Sequence, residues 1–222
     1  MNILEWAVES TREKGVVQTV KIAGNFVMDL SFDWKHGTDT MGWVEREALG
    51  ARSGNQEHSA PYKATKARPF LNLLSKLDLP RDCTFVDIGS GKGRALLIAS
   101  QYGFRKVTGI EFSGHFCALA RRNAESFARN KGMLSPIEVI EADATSHHFQ
   151  AEDRVFFMYN PFDSFILAQV MDNIGHSLKE SPRGIWLIYN TPLHHEVIKK
   201  AGLFKSDSFH EIGGNHFRVY AN

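Results

Sequence analysis

The sequence is poor in the features that would place it outside the ordinary folded domains. It has two cysteines, Cys83 and Cys117, in 222 residues. Two thiols without short metal-ligand spacing build neither a disulfide scaffold nor a zinc site, so a reducing compartment is expected. No run of about 18 apolar residues is present, so no membrane span is expected. Glu5 and Glu9 fall in the first turns, and no apolar core leads to a cleavage site, so the N-terminus does not read as a signal peptide. An excess of one charge is lacking as well. With 26 Lys and Arg against 25 Asp and Glu, the formal net charge is +1, and nothing global draws the chain to nucleic acid or an anionic membrane. Arg121-Arg122 and Lys199-Lys200 are the obvious basic pairs, and they read as solvated helix faces. There is no internal repeat and no low-complexity segment. The expectation is a cytoplasmic protein without nucleic acid or membrane among its partners; its oligomeric state is not legible.

What is present is core material. Sixteen Phe and four Trp suffice for one sizeable α/β domain with an N-terminal extension. The expected division is an extension over 1–60 and a domain over 61–222. In the extension the periodicity is mixed: Leu4, Trp6, Val8 and the stretch from Val16 to Leu30 contain apolar residues, and 25–34 fits either helix or irregular structure. The stretch from Phe32 to Gly42 is dense in turn formers and small polar residues, and Arg52 to Ser59 reads as a mobile loop. A helix over 66–77 is predicted because Phe70, Leu73, Leu74 and Leu77 share one face, with Asp78-Leu79-Pro80 ending it. Strands over 84–89, 106–111, 137–141, 154–159 and 184–190 alternate with helices over 92–102, 115–131, 163–180 and 193–201. Only the connection between the third and fourth strands lacks a helix. Two short strands, 208–212 and 216–220, flank Gly213-Gly214 and predict a closing hairpin. The alternation argues a doubly wound, mostly parallel sheet with helices on both faces. The near-continuous apolar runs at 84–88, 155–159 and 185–189 fit strands buried on both faces.

The most informative run is Phe85-Val86-Asp87-Ile88-Gly89-Ser90-Gly91-Lys92-Gly93-Arg94, a buried strand leading through a glycine turn into a helix. Glycine is needed where a ligand must lie against backbone. The next strand ends at Glu111, the third at Asp143, and the fourth at Asn160-Pro161-Phe162. Ligands of open parallel sheets collect beyond such strand ends. A nicotinamide-dependent oxidoreductase of Rossmann type also carries a glycine turn followed by an acidic residue about 20 positions on. Against it, Asp87 puts a negative charge where a pyrophosphate would lie.

The order glycine, Glu, Asp, Asn-Pro-Phe over successive strand ends resembles the class I, seven-strand S-adenosylmethionine (SAM)-dependent methyltransferases. The likeness covers about 61–222. Phe85–Leu96 and Gly109-Ile110-Glu111-Phe112-Ser113 are similar to bacterial members of unassigned substrate, and distantly to the non-SET histone-lysine methyltransferases. The resemblance implies a seven-stranded sheet with an antiparallel last strand, and SAM as cofactor with S-adenosylhomocysteine as product. It implies that Glu111 accepts from the ribose diol and that Asp143 accepts from the adenine amine beside Ala144. It further implies that Gly89, Ser90, Gly91, Gly93 and Phe112 border the cofactor, and that Asp87 orients the loop towards its ammonium. Tyr62 and Thr65 are placed to touch the methionine end.

Tyr159-Asn160-Pro161-Phe162 resembles the Asn-Pro-Pro-aromatic motif of enzymes that methylate amino or amide nitrogen. Having one Pro, with the aromatic one place early, it departs from the nucleobase enzymes and approaches the seven-strand protein-lysine methyltransferases. The resemblance implies that Asn160, present also in the cofactor set, holds the acceptor nitrogen, with Tyr159 and Tyr189 flanking the methyl group. The expected acceptor is a protein or small molecule, most simply through nitrogen. The readings set against this are an NAD-dependent oxidoreductase and a SAM-binding module without catalysis. His147-His148 and His194-His195 are adjacent pairs whose side chains point apart, and no metal is expected. His194 is the best-placed candidate base. The 36–40 segment is a candidate lid.

Overall fold

The chain is described here from a computed structural model that covers residues 8–9, 11–13, 15–44, 60–130 and 133–222. Leu4, Glu5, Trp6 and the expected loop from Arg52 to Ser59 lie outside the described residues. Strand β3 (Thr84–Ile88) organises the fold, and all five of its residues are buried. It pairs in parallel with β4 (Lys106–Glu111) on one side and β6 (Asp153–Tyr159) on the other. With β5 (Ile137–Glu141), β7 (Trp186–Asn190), β8 (Ser206–Ile212) and β9 (Asn215–Ala221), these form a seven-stranded sheet ordered β5-β4-β3-β6-β7-β9-β8. β9 runs antiparallel to both neighbours and lies between β7 and β8. This is the predicted doubly wound architecture with its antiparallel last strand.

Side chains alternate to two apolar layers, as a strand period of two requires. Phe85 and Phe157 pack with Phe70 and Phe104 on one face. Val86, Ile88, Phe156 and Met158 pack on the other against α5 (Ser164–Glu180). Helix α2 (Ala67–Leu74) buries Phe70, Leu73 and Leu74. It is shorter than predicted because the chain tightens after it: the N–H groups of Lys76 and Leu77 bond back three residues, to Leu73 and Leu74. α3 (Arg94–Tyr102) and α4 (Gly114–Arg129) follow β3 and β4. Ser113 caps α4 and Asp163 caps α5, each side chain accepting from the first-turn N–H groups. α6 (His195–Lys200) precedes the hairpin.

The extension contains α1 (Val16–His36), which settles 25–34 as helix. A two-residue antiparallel ribbon, β1 (Trp43–Val44) with β2 (Tyr62–Lys63), bridges the extension to the domain. Among the described residues no helix is long and apolar enough to cross a membrane.

Candidate active site

Strand order reverses at β3, between β4 and β6, which is where open α/β sheets bind ligands. The glycine turn begins there. Gly89 and Gly91 have φ of +79° and +52°, a region costly for any side chain. The protein's own groups lie against both. A Cβ on Gly89 would stand 2.7 Å from Pro161, and one on Gly91 would strike the Tyr62 ring. Gly93 serves a different end: it caps α3 and lets Ala120 of α4 come close.

Glu111, at the end of β4, is buried and holds the turn. Its Oε2 accepts from the Gly91 N–H at 2.8 Å and its Oε1 from the Ser113 N–H at 2.9 Å. Burial raises its pKa, against the opposing pull of the N–H donors at Ser113, Gly91 and Phe112. Asp87 is buried beside it. Burial first, and the Glu111 charge second, push its pKa well above the ordinary carboxylate range. The side chain of Ser90 tucks against Gly109, where any Cβ would lie 2.7 Å from the hydroxyl, and that hydroxyl is buried without a partner among the described residues.

Asp87, Gly89, Ser90, Gly91, Glu111, Phe112 and Tyr159 line one cavity, together with Tyr62 and Thr65. Its volume is about 60 Å³, well below the ~300–1,000 Å³ of ligand pockets. Tyr62 closes it. The Tyr62 hydroxyl donates to the Thr40 carbonyl at 2.7 Å, its ring stands 5.1 Å from Phe116, and the nearby Ala60 N–H donates to the Pro161 carbonyl at 2.9 Å. Gly93, Asp143, Ala144, Asn160 and Tyr189 are not among the residues that line the cavity. Asp143 Oδ1 accepts from Thr145 N and Oγ1 at 2.9 and 2.7 Å and shapes the turn after β5. The Ala144 carbonyl accepts from Asn173.

The expectation that Tyr159 and Tyr189 flank one cleft requires correction. Tyr159 lies across from Asn190 and Tyr189 from Met158, so the two tyrosines project from opposite faces of the sheet. Tyr189 is fully buried, and its hydroxyl donates to Asn160 Oδ1 at 2.6 Å. The His194 backbone N–H donates in turn to that hydroxyl, and burial raises the Tyr189 pKa to about 12. His194 thus touches this relay through its backbone. Asn160 and Thr191, at adjacent strand ends, both have positive φ, 41° and 54°. For β-branched Thr191 this is a strained conformation, of the kind that collects at functional sites.

One assembly was not foreseen. Arg94, in the first turn of α3, is 1% exposed. Its guanidinium pairs with Asp29 at 3.0 Å and Asp33 at 2.9 Å, and its Nε donates to Thr40 Oγ1 at 2.6 Å. Asp33 also accepts from the N–H groups of Thr40 and Met41. Asn123 of α4 and Asn130, which caps its end, bond the backbone at Asp39 and His36. The 36–40 segment, expected as a lid, is thereby fastened to the turn at Lys92–Arg94. The available signal was the pair Asp29 and Asp33, like charges on one helical face that require a cation between them.

Residues 85–181 match the family model described as a methyltransferase domain. No curated protein matches the chain. Among solved structures, an RNA methyltransferase of Salinibacter ruber, in complex with S-adenosylhomocysteine, is 18% identical with a TM-score of 0.50, over 71% of this chain and 93% of that one. A SAM-dependent methyltransferase of Aquifex aeolicus is 17% identical with a TM-score of 0.54, over the same shares, 71% and 93%. A Nostoc punctiforme protein given as a candidate O-methyltransferase is 13% identical with a TM-score of 0.57; the match takes in 70% of this chain and 56% of that one. At such identities the structural likeness concerns the fold. Residues 85–181 thus carry the match to a methyltransferase domain, and the fold is the one found in SAM-dependent methyltransferases. The donor set agrees: two buried carboxylates and an orphaned hydroxyl suit a diol and an ammonium, and they oppose a pyrophosphate.

Proposed function

We propose that the protein methylates a nitrogen nucleophile on a protein or small molecule. The observation that supports this most is Asn160, held in a left-handed conformation beside the cavity-lining Tyr159 and Pro161, with its Oδ1 fixed by the Tyr189 hydroxyl. Bound SAM supplies a methyl group on a positively charged sulfur and departs as S-adenosylhomocysteine. Glu111 is assigned to its ribose, Asp87 to its ammonium, and Asp143, with Ala144, to the adenine side. Gly89, Ser90, Gly91 and Phe112 border it. The second lone pair of Asn160 Oδ1 accepts an N–H of the acceptor, aims the nitrogen lone pair and concentrates density there. Tyr189 acts through Asn160 as a positioning residue, and the Tyr159 ring offers its face to a cationic nitrogen. The Asn-Pro-Phe sequence resembles what some seven-strand protein-lysine methyltransferases carry, and on that resemblance we assign a primary amine such as a lysine side chain. The balanced charge weighs against nucleic acid as acceptor, and two buried free thiols, Cys83 and Cys117, suit the cytoplasm.

Incubation of a cell extract with the enzyme and labelled SAM, read by mass spectrometry, tests the proposal. Label in N-methyl groups is expected; label confined to oxygen, or to nucleic acid, refutes it. Asn160→Ala is expected to lower kcat about 10–100-fold while the SAM Kd changes less than about twofold. An unchanged kcat reduces Asn160 to a turn residue.

A further inference from the structure

Lys63, Lys66 and Lys92 lie where the extension meets the domain, and two of them are committed. Lys66 pairs with Asp29 at 2.9 Å. Lys92 pairs with Asp39 at 3.3 Å and donates to the Met41 carbonyl at 2.9 Å. Both tie the extension down. Lys63 does not. It is exposed, it lines the cavity, and among the described residues no hydrogen bond or ion pair holds its Nζ. That Nζ stands 5.9 Å from the centre of the Tyr159 ring, within reach of a cation–π contact.

Two backbone ties bring Lys63 to that ring. In the ribbon of β1 with β2, Lys63 lies across from Trp43. Three residues earlier, the Ala60 N–H donates to the Pro161 carbonyl at 2.9 Å. The chain from Ala60 to Lys63 is thus laid against the end of β6, and it lines the cavity together with Tyr159 and Pro161. A lysine amine of the protein itself therefore stands at the ring assigned above to an acceptor nitrogen. The Tyr62 ring fills the space against Gly91, one residue before. Its departure is a rotation about side-chain bonds, which leaves both backbone ties in place.

We propose that Lys63 is itself a methyl acceptor, its Nζ taking the methyl group of SAM in cis at the end of β6. This rests on the reading that Tyr159 and Asn160 receive an acceptor nitrogen. The step balances with SAM as the only co-reactant. The exposed ammonium gives a proton to water. The freed lone pair forms the N–CH3 bond as the S–CH3 bond breaks, and the breaking pair returns to sulfur to leave S-adenosylhomocysteine. The methylated amine keeps its charge, so it stays against the Tyr159 ring. Because the amine is tethered, the transfer is unimolecular.

Incubation of the purified full chain with methyl-labelled SAM and no other acceptor, followed by peptide mapping, tests this. Label is expected on Lys63 Nζ, with Lys66 and Lys92 unlabelled. The mapping also reads methyl groups acquired during expression, against Asn160→Ala, in which methylation of Lys63 is expected to fall about 10–100-fold. Lys63→Arg, an exposed change that keeps the charge, is expected to fold as the wild type by circular dichroism and to lose the label. The labelled fraction per unit time should stay constant over about 100-fold dilution, as a unimolecular step requires. A Lys63 without methyl groups overturns the proposal, and so does label that Lys63→Arg retains or a rate that falls with dilution. If Lys63 is bare while N-methyl label appears in a cell extract, the proposed function stands and this inference alone fails. If neither is labelled on nitrogen, both fail.

Discussion

Glu111 combines two duties at one carboxylate. Its Oε2 accepts the Gly91 N–H and its Oε1 the Ser113 N–H. Removing it loosens the glycine turn and, on the proposed assignment, strips the ribose of its acceptor. Glu111→Ala is expected to weaken SAM binding by about 1.5–3 kcal/mol, the scale of a hydrogen bond to a charged group; calorimetry showing wild-type affinity would refute the ribose assignment. Asp87 makes a pH prediction. Its folded pKa lies above that of the unfolded chain, so the folded protein without cofactor prefers the proton. As pH rises above the unfolded carboxylate value, the unfolded chain ionises first and stability falls, and the loss is complete once pH passes the raised folded value. A cationic cofactor favours the ionised form, so SAM affinity should rise over the same window. Asp87→Asn should make both profiles shallower and raise the cofactor-free Tm at pH 8 by about 2–4 °C. A Tm lowered by this substitution, with the SAM profile still sloped, contradicts the assignment.

Elements that bury apolar residues were legible, and those that bury charge were not. The strand β3, the face of α2 and the β8–β9 hairpin follow from the alternation and spacing of Phe85, Val86, Phe70, Leu73 and Gly213-Gly214. So does the clustering of Asp87, Gly89 and Glu111 at the strand ends. Helix α1 was ambiguous because its apolar and polar residues are mixed, and what fastens it is Arg94 bonding to Asp29 and Asp33 from 61 to 65 residues away. Tyr62 was expected at the methionine end and lines the cavity, but its bond to the Thr40 carbonyl is non-local and no local pattern encodes it. The Arg94 clamp carries its own test. Arg94→Met leaves two carboxylates without their cation and should destabilise the fold by about 3–5 kcal/mol in urea unfolding. Arg94→Lys should recover only part of this, because an ammonium cannot reproduce the planar fork that reaches both acids and Thr40. Full recovery by Lys would mean that charge alone, without geometry, fastens the extension.

Over the whole molecule, one sheet sets the division of labour. Its centre, β3 with β4 and β6, is largely buried, and the groups assigned to the cofactor under the proposal lie at the point where strand order reverses. The extension lies over that point. Asp33 and Arg94 fasten it, and Tyr62 fills the space against Gly91, so the groove is narrow as it stands. Under the proposed assignment, cofactor entry requires the Tyr62 ring to leave Gly91, while Glu111 and the turn keep their places. A crystal structure of the protein grown with S-adenosylhomocysteine tests this most directly. The expected result is the ribose diol within hydrogen-bond distance of the Glu111 carboxylate, with Tyr62 displaced from Gly91. A ligand bound away from the β3 and β4 strand ends, or a Glu111 carboxylate that touches no part of it, would contradict the account.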